Sequence, residues 1–173
     1  MKSFISTVKD SGVKTFIIHA RKGILKGLSP RQNRNIPPLN YQKVYSIKDD
    51  FPDLEIIING GIKNISEAKN HLNFVDGVML GRAAYDDPFM LSDIDSEIYS
   101  NTKIEISRKD LLTEYLDYVH VMTKKGYDPK IMLKHLFGLK KGEKDAKRFR
   151  VKVAEIMNSS SLVENKDELL SMV

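Results

Sequence analysis

Residues 15–41, TFIIHARKGILKGLSPRQNRNIPPLNY, decide the fold when read beside IIINGGI at 56–62 and DGVMLGRAAY at 76–85. Each stretch opens on a short apolar run that stops at a polar or glycine-rich cluster. The clusters are His19-Ala20-Arg21-Lys22, then Asn59-Gly60-Gly61, then Gly81-Arg82. Parallel strands whose carboxyl ends carry backbone donors and cations make an anion site. The anion expected here is a cofactor phosphate.

Working outward, residues 1–11 have the spacing of an amphipathic helix with Phe4, Ile5 and Val8 on one face, ended by Gly12. Strands are expected at 14–19, 54–59 and 75–80, with helices at 41–50 and from a capping-box-like Asn64-Ile65-Ser66-Glu67 to about Asn73. Strand, helix, strand, helix, strand with tight turns predicts a parallel α/β sheet. The long connection 20–40 is expected to be ordered and partly packed through Ile24, Leu25, Leu28, Ile36 and Leu39. One short helix is expected within 86–100. Beyond residue 100 the pattern becomes helical: Ser107 and Asp110 predict a cap for a helix reaching Gly126, followed by helices near 129–138, 143–157 and 163–171. The expected division is 1–100 and 101–173.

The chain has 173 residues, which is enough for a sizeable core but too few for a complete eight-stranded α/β barrel. It has no cysteine, which excludes disulfides, thiolate metal sites and a cysteine nucleophile within it. There is neither a long apolar span nor a secretory pattern, so a cytoplasmic place and no membrane partner are expected. Net charge is +5, and its distribution is uneven. Between Asp10 and Asp49 stand eight Lys/Arg and no acid. A polyanionic partner would account for this, because each neutralised phosphate releases counterions. A solvated basic loop would account for it equally.

Gly60-Gly61 lies between a strand and a helix start, where glycine lets main chain approach an anion and the helix end adds N–H groups. An ordinary strand-to-helix turn has the same sequence. Gly81-Arg82 repeats the arrangement one strand later, and Arg82 brings a guanidinium suited to phosphate. Loops after the last two strands of an α/β barrel are a frequent phosphate site. His19 stands on the same rim. His71, His120 and His135 lie on expected helices without metal-ligand spacing and are read as structural; no metal is expected. Lys144, Lys147 and Arg148 at i, i+3, i+4 give one basic helix face, in a cluster that extends to Arg150 and Lys152. That face suits either solvent or RNA.

FIIHARK (16–22), GLSP (27–30), NRNIPPLNY (33–41), INGGI (58–62) and DGVMLGRAAY (76–85) together resemble the tRNA-dihydrouridine synthases, most closely the A-type bacterial enzymes. LKHLFGL (133–139) is similar more loosely. The resemblance implies a flavoenzyme that reduces a uridine in the tRNA D-loop to 5,6-dihydrouridine, with FMN as cofactor and NADPH as reductant. The implied fold is the last three β/α units, about, of an FMN-binding TIM barrel (1–100), then a small all-α domain that holds tRNA (101–173). It implies flavin contacts for His19, Asn59, Gly60, Gly61, Gly81 and Arg82. It implies tRNA contacts for Arg31 and Arg34 in the loop after strand six, and for Lys147 and Arg150 in the helical part, where the local sequence departs from the family pattern.

The family's general-acid cysteine, in an Asn-x-Gly-Cys-Pro stretch, has no counterpart here, nor has its flavin-contacting lysine in Val-Lys-x-Arg. No catalytic residue of the chain is therefore assigned. About five of the eight barrel strands are expected to be missing. The chain alone is expected to be inactive and poorly stable, either as a truncated or split reading frame or as a half that pairs with an N-terminal partner half. Two alternatives fit parts of the pattern: a flavin-dependent barrel oxidoreductase acting on a small molecule, and a non-catalytic RNA-binding module. The acid-free basic loop speaks against the first, and the missing cysteine favours the second.

Overall fold

The apolar runs become three parallel strands in a computed structural model, which describes residues 1–24, 26–99, 102, 105–159 and 162–173. They are β1 (Thr15–His19), β2 (Glu55–Asn59) and β3 (Gly77–Met79), in the order β1-β2-β3. The third is shorter than expected. The register pairs Thr15 with Glu55, Ile17 with Ile57 and Gly77, and His19 with Asn59 and Met79.

Because side chains alternate along a strand, this register sorts the sheet into two faces. Ile18, Ile56 and Ile58 point to one face and are buried. Helices α3 (Tyr41–Asp50) and α4 (Ile65–Leu72) cover that side, with Val44, Ile47 and Ala68 buried among them. Each fully buried isoleucine contributes about 2–3 kcal/mol relative to an exposed one. The other face carries Thr15, Ile17, His19, Glu55, Ile57, Asn59, Gly77 and Met79. The apolar run of β1 is not covered on this side: Ile17 is 53% exposed. Helix α1 (Lys2–Asp10) buries Ile5, but Phe4 is 67% exposed, so the expected three-residue apolar face is not used as one.

Helix α4 is capped by the Asn64 side chain, which accepts from the Glu67 N–H at 2.8 Å. Glu67 reaches back to the Lys63 N–H, one residue beyond the cap, so the box is displaced rather than reciprocal. Asp76, leading into β3, accepts from the Ile56 N–H and pairs with Lys48, both at 2.8 Å. Burial works to raise the Asp76 carboxyl, but that N–H and the Lys48 ammonium outweigh it and hold its pKa below the usual value.

The chain divides into two compact units, Met1–Gly81 and Arg82–Val173. Residues 82–99 therefore group with the second unit. In it, α5 (Arg82–Asp86), a 3₁₀ segment (Pro88–Asp93) and α6 (Ile94–Glu97) stand where one short helix was expected. A Cβ on Gly138 would lie 2.6 Å from the Asp86 carbonyl oxygen, so glycine is required where these two segments meet.

Helix α7 (Arg108–Lys124) begins at the expected cap, with the Ser107 and Asp110 side chains each accepting from the other's N–H. Leu112, Leu116 and Val119 then form one buried face. They join Leu133, Leu136 and Leu139, Phe149, Val153 and Ile156, and Leu169 in one core. The contributing elements are α8 (Pro129–Leu133), a 3₁₀ segment (Lys134–Gly138), α9 (Ala146–Ser159) and α10 (Leu162–Ser171). LKHLFGL is thus a packing motif. Helix α9 starts at Ala146, after Asp145 in a left-handed conformation (φ 61°), so Lys144 precedes it and is not on the basic helix face.

Candidate functional site

The in-register row His19–Asn59–Met79 brings three adjacent strands to one carboxyl rim. Asn59 Nδ2 lies 3.2 Å from the Met79 Sδ. Immediately past β2, Gly60 and Gly61 both have left-handed φ angles, 115° and 77°. A Cβ on Gly60 would come within 2.9 Å of the His19 ring, and one on Gly61 within 2.4 Å of Leu39 Cδ1. The left-handed backbone is what favours glycine at both positions, while the close approaches are to the ends of the His19 and Leu39 side chains, which would have to shift. His19 and Leu39 hold this turn from below. Beyond Met79, a Cβ on Gly81 would meet nothing within 4 Å, so this glycine faces open space.

The turn is fixed from the side of the helices. Tyr41 Oη donates to the Gly60 carbonyl at 3.0 Å. Burial, with Glu67 and Tyr45 nearby and Arg21 opposing, pushes the Tyr41 phenol up, so it stays a donor through the neutral range. Its ring meets His71 edge-on at 4.4 Å, and Tyr45 Oη lies 2.6 Å from His71 Nδ1. His71 is buried, and that burial lowers its pKa against the pull of Glu67. Its partners here, the Tyr41 ring and the Tyr45 hydroxyl, lie on α3.

The connection from β1 to α3 is an ordered loop, but polar groups order it more than the expected apolar ones. Ile24 and Ile36 are exposed, Leu28 and Leu39 are half-buried, and Leu25 lies outside the described residues. Ser29 and Gln32 form a reciprocal capping box around the short helix α2 (Pro30–Asn33). Asn33 clamps Ile24 by donating to its carbonyl and accepting from its N–H, both at 2.8 Å. The Arg21 guanidinium donates to the carbonyls of Asn35 (3.3 Å) and Pro37. Arg21 also bridges antiparallel to Leu39. Arg31 and Arg34 are exposed on this loop.

The remaining sequence-derived candidates are on the second unit. Arg82 is the first residue of α5. Lys147 and Arg150 are exposed on α9, at i and i+3, while Phe149, Val153 and Ile156 are buried. The Arg108 guanidinium stacks on Phe89 at 4.0 Å, donates to the Leu139 carbonyl at 2.9 Å and pairs with Glu143 at 3.1 Å, fixing the approach to α9. Arg21 and Tyr41 stand in the quoted motifs and Arg108 in none, but the partners of all three were not foreseen, because they are distant in sequence. Among the described residues no group of three or more His, Asp or Glu side chains is placed to hold a metal ion. No described helix is long and apolar enough to cross a membrane.

Strand-end turns of this kind on a parallel sheet belong to an α/β ligand-binding class. The family model for dihydrouridine synthase (Dus) matches residues 1–172, and the chain belongs to that family. It is 41% identical over 150 residues to the tRNA-dihydrouridine(20/20a) synthase of Pseudomonas putida, a match covering 87% of this chain and 45% of that protein. The corresponding Shewanella oneidensis protein is 43% identical over 152 residues, covering 88% of this chain and 45% of its own length. That of Synechocystis sp. is 42% identical over 147 residues, covering 85% and 44%. The chain spans about half the length of the curated relatives it matches.

Proposed function

We propose that this chain is the flavin-phosphate and RNA-gripping part of an FMN-dependent tRNA-dihydrouridine synthase. That enzyme would reduce uridine in the tRNA D-loop to 5,6-dihydrouridine in the cytoplasm, with NADPH as reductant. In this reading residues 1–100 are the last β/α units of a TIM barrel and 101–173 an all-α segment that holds tRNA. The observation that carries the reading is the aligned rim His19–Asn59–Met79 followed by the Gly60-Gly61 turn, in a chain of the dihydrouridine synthase family.

The donor set suits a flavin phosphate. Glycine main chain at 60, 61 and 81 admits close approach, and Gly81 offers the open side that a Cβ would narrow. Arg82, adjacent in sequence to Gly81, supplies a guanidinium for the phosphate. When bound, FMN supplies the hydride that reduces the uracil ring. His19 donates to the cofactor, since its Nδ1 accepts from the Arg21 N–H at 3.1 Å and the neutral ring then carries its proton on Nε2. Asn59 orients against the same group. Arg31, Arg34, Lys147 and Arg150 grip the RNA backbone, which a base extruded from its stack requires. The sequence holds no cysteine, so in this reading the proton for the ring comes from a group outside these residues.

The test joins this chain in one reading frame to the N-terminal half of the Pseudomonas putida relative. The fusion is expected to purify with flavin absorbance and to form dihydrouridine in tRNA with NADPH. The chain alone should bind tRNA in a salt-dependent way without converting it. A folded fusion that neither retains FMN nor modifies tRNA contradicts the proposal.

A further inference from the structure

We infer that Arg21 is a positioning residue for nucleic-acid binding: its side chain is spent inside the 22–39 loop, and it sets the shape in which that loop presents Arg31 and Arg34. The inference rests on the reading above, in which those two arginines contact RNA, and adds a residue that reading does not assign.

In sequence Arg21 looks like one more cation of a basic block. In the fold its guanidinium is turned inward. It donates to the carbonyls of Asn35 and Pro37, on the far arm of the loop. Its Nε is buried and, among the described residues, has no hydrogen-bond partner. A buried donor left unsatisfied is costly, so the guanidinium is held by what its Nη1 gains from the two carbonyls.

Main-chain contacts set the backbone on either side of Arg21. Its N–H donates to His19 Nδ1, it bridges Leu39 antiparallel, and the neighbouring Ala20 carbonyl accepts from the Asn40 N–H at 2.8 Å. Both ends of the loop are thereby pinned to the strand end that carries His19. Between them α2 holds Arg31 and ends on Arg34 as its C-terminal cap residue. Both bonds come from one nitrogen, Nη1, which stands one bond farther from Cα than a lysine Nζ, so an ammonium at this position stops short of the two carbonyls.

The experiment uses the whole chain and a fluorescent tRNA, followed by anisotropy across a salt series. Arg21→Met should weaken binding by about tenfold and flatten the salt slope by about one to two. Arg21→Lys should behave like Arg21→Met although the charge is kept. In an Arg31→Ala/Arg34→Ala background, Arg21→Met should cost nothing further, because groups acting through one another are not additive.

Full affinity in Arg21→Lys, or an undiminished further loss in the double-variant background, overturns the inference and marks Arg21 as a direct charge contact. If Arg31→Ala/Arg34→Ala leaves tRNA affinity unchanged, the RNA role of the loop is wrong and the inference falls with it. Should Arg21→Met not fold, the unmutated chain still decides. Its Arg21 guanidinium protons should exchange slowly by NMR, and fast exchange like that of surface arginines overturns the inference.

Discussion

Gly61 and Gly81 can be told apart by what an added methyl group would do. At Gly61 the φ angle is 77° and the new Cβ would lie 2.4 Å from Leu39 Cδ1. Gly61→Ala is therefore expected to destabilise the first unit by about 1–3 kcal/mol, read as a lowered urea midpoint. At Gly81 nothing lies within 4 Å, so Gly81→Ala should leave stability within about 0.5 kcal/mol. In the fusion with the N-terminal half it should nonetheless weaken FMN retention, which would separate a phosphate cradle from a structural turn. Two titrating groups act in opposite chemical senses and in different pH windows. His71 has a pKa lowered from 6.5, so the unfolded chain takes up its proton first on acidification. Its contribution is whole above about pH 6.5 and is lost as pH falls through the depressed folded value. Urea unfolding at about pH 7.5 and about pH 5.5 should show a drop that His71→Gln reduces. Asp76, lowered from 3.8, contributes above that value and is lost only on further acidification, as pH falls through its folded value. The limb met first on acidification thus belongs to His71 and the one met at stronger acidity to Asp76.

At the scale of an element, caps are the most direct test. Ser107→Ala removes a side chain that accepts from the Asp110 N–H at 3.0 Å and should cost about 1 kcal/mol. Thermal unfolding would measure it, and Thr at the same position should restore most of the loss. Such caps were legible in sequence because their chemistry closes within one helical turn, as Ser107–Asp110 and Asn64–Glu67 both do. The three strands were legible for a related reason: short β-branched runs bounded by glycine and polar clusters admit few other structures. Contacts that span the chain were not legible. Arg21 reaches Asn35 and Pro37, and Arg108 reaches Leu139, yet each reads in isolation as an ordinary surface cation. The start of α9 was missed because Asp145 takes a left-handed turn that only glycine, Asn or Asp accept readily, and that no periodicity announces. The candidate site was legible through motif likeness. Its geometry, above all the His19 ring beneath Gly60 and the Tyr41 hydroxyl on the Gly60 carbonyl, depended on register that residue spacing alone does not set.

Across the molecule, the feature with the largest consequence is the sheet face that carries Ile17. Ile17, Ile57 and Gly77 form its middle row, with Thr15 and Glu55 on one side and His19, Asn59 and Met79 on the other. Among the described residues β1 is hydrogen-bonded to a strand on one side only. An exposed edge beside an apolar face favours association of chains. In the barrel proposed above, the same face is the interior, where side chains from successive strands stack in layers. Ile17→Lys separates these conditions. Ile17 is already half-exposed, so the substitution should change the stability of the chain alone by no more than about 0.5 kcal/mol, while light scattering shows less self-association. In the fusion with the N-terminal half it would bury an unpaired ammonium in the middle layer, and the fusion should lose flavin and unfold at lower urea. A fusion that tolerates Ile17→Lys would mean that this face is not the barrel interior. A chain that unfolds with Ile17→Lys by itself would mean that Ile17 is part of a core it already possesses.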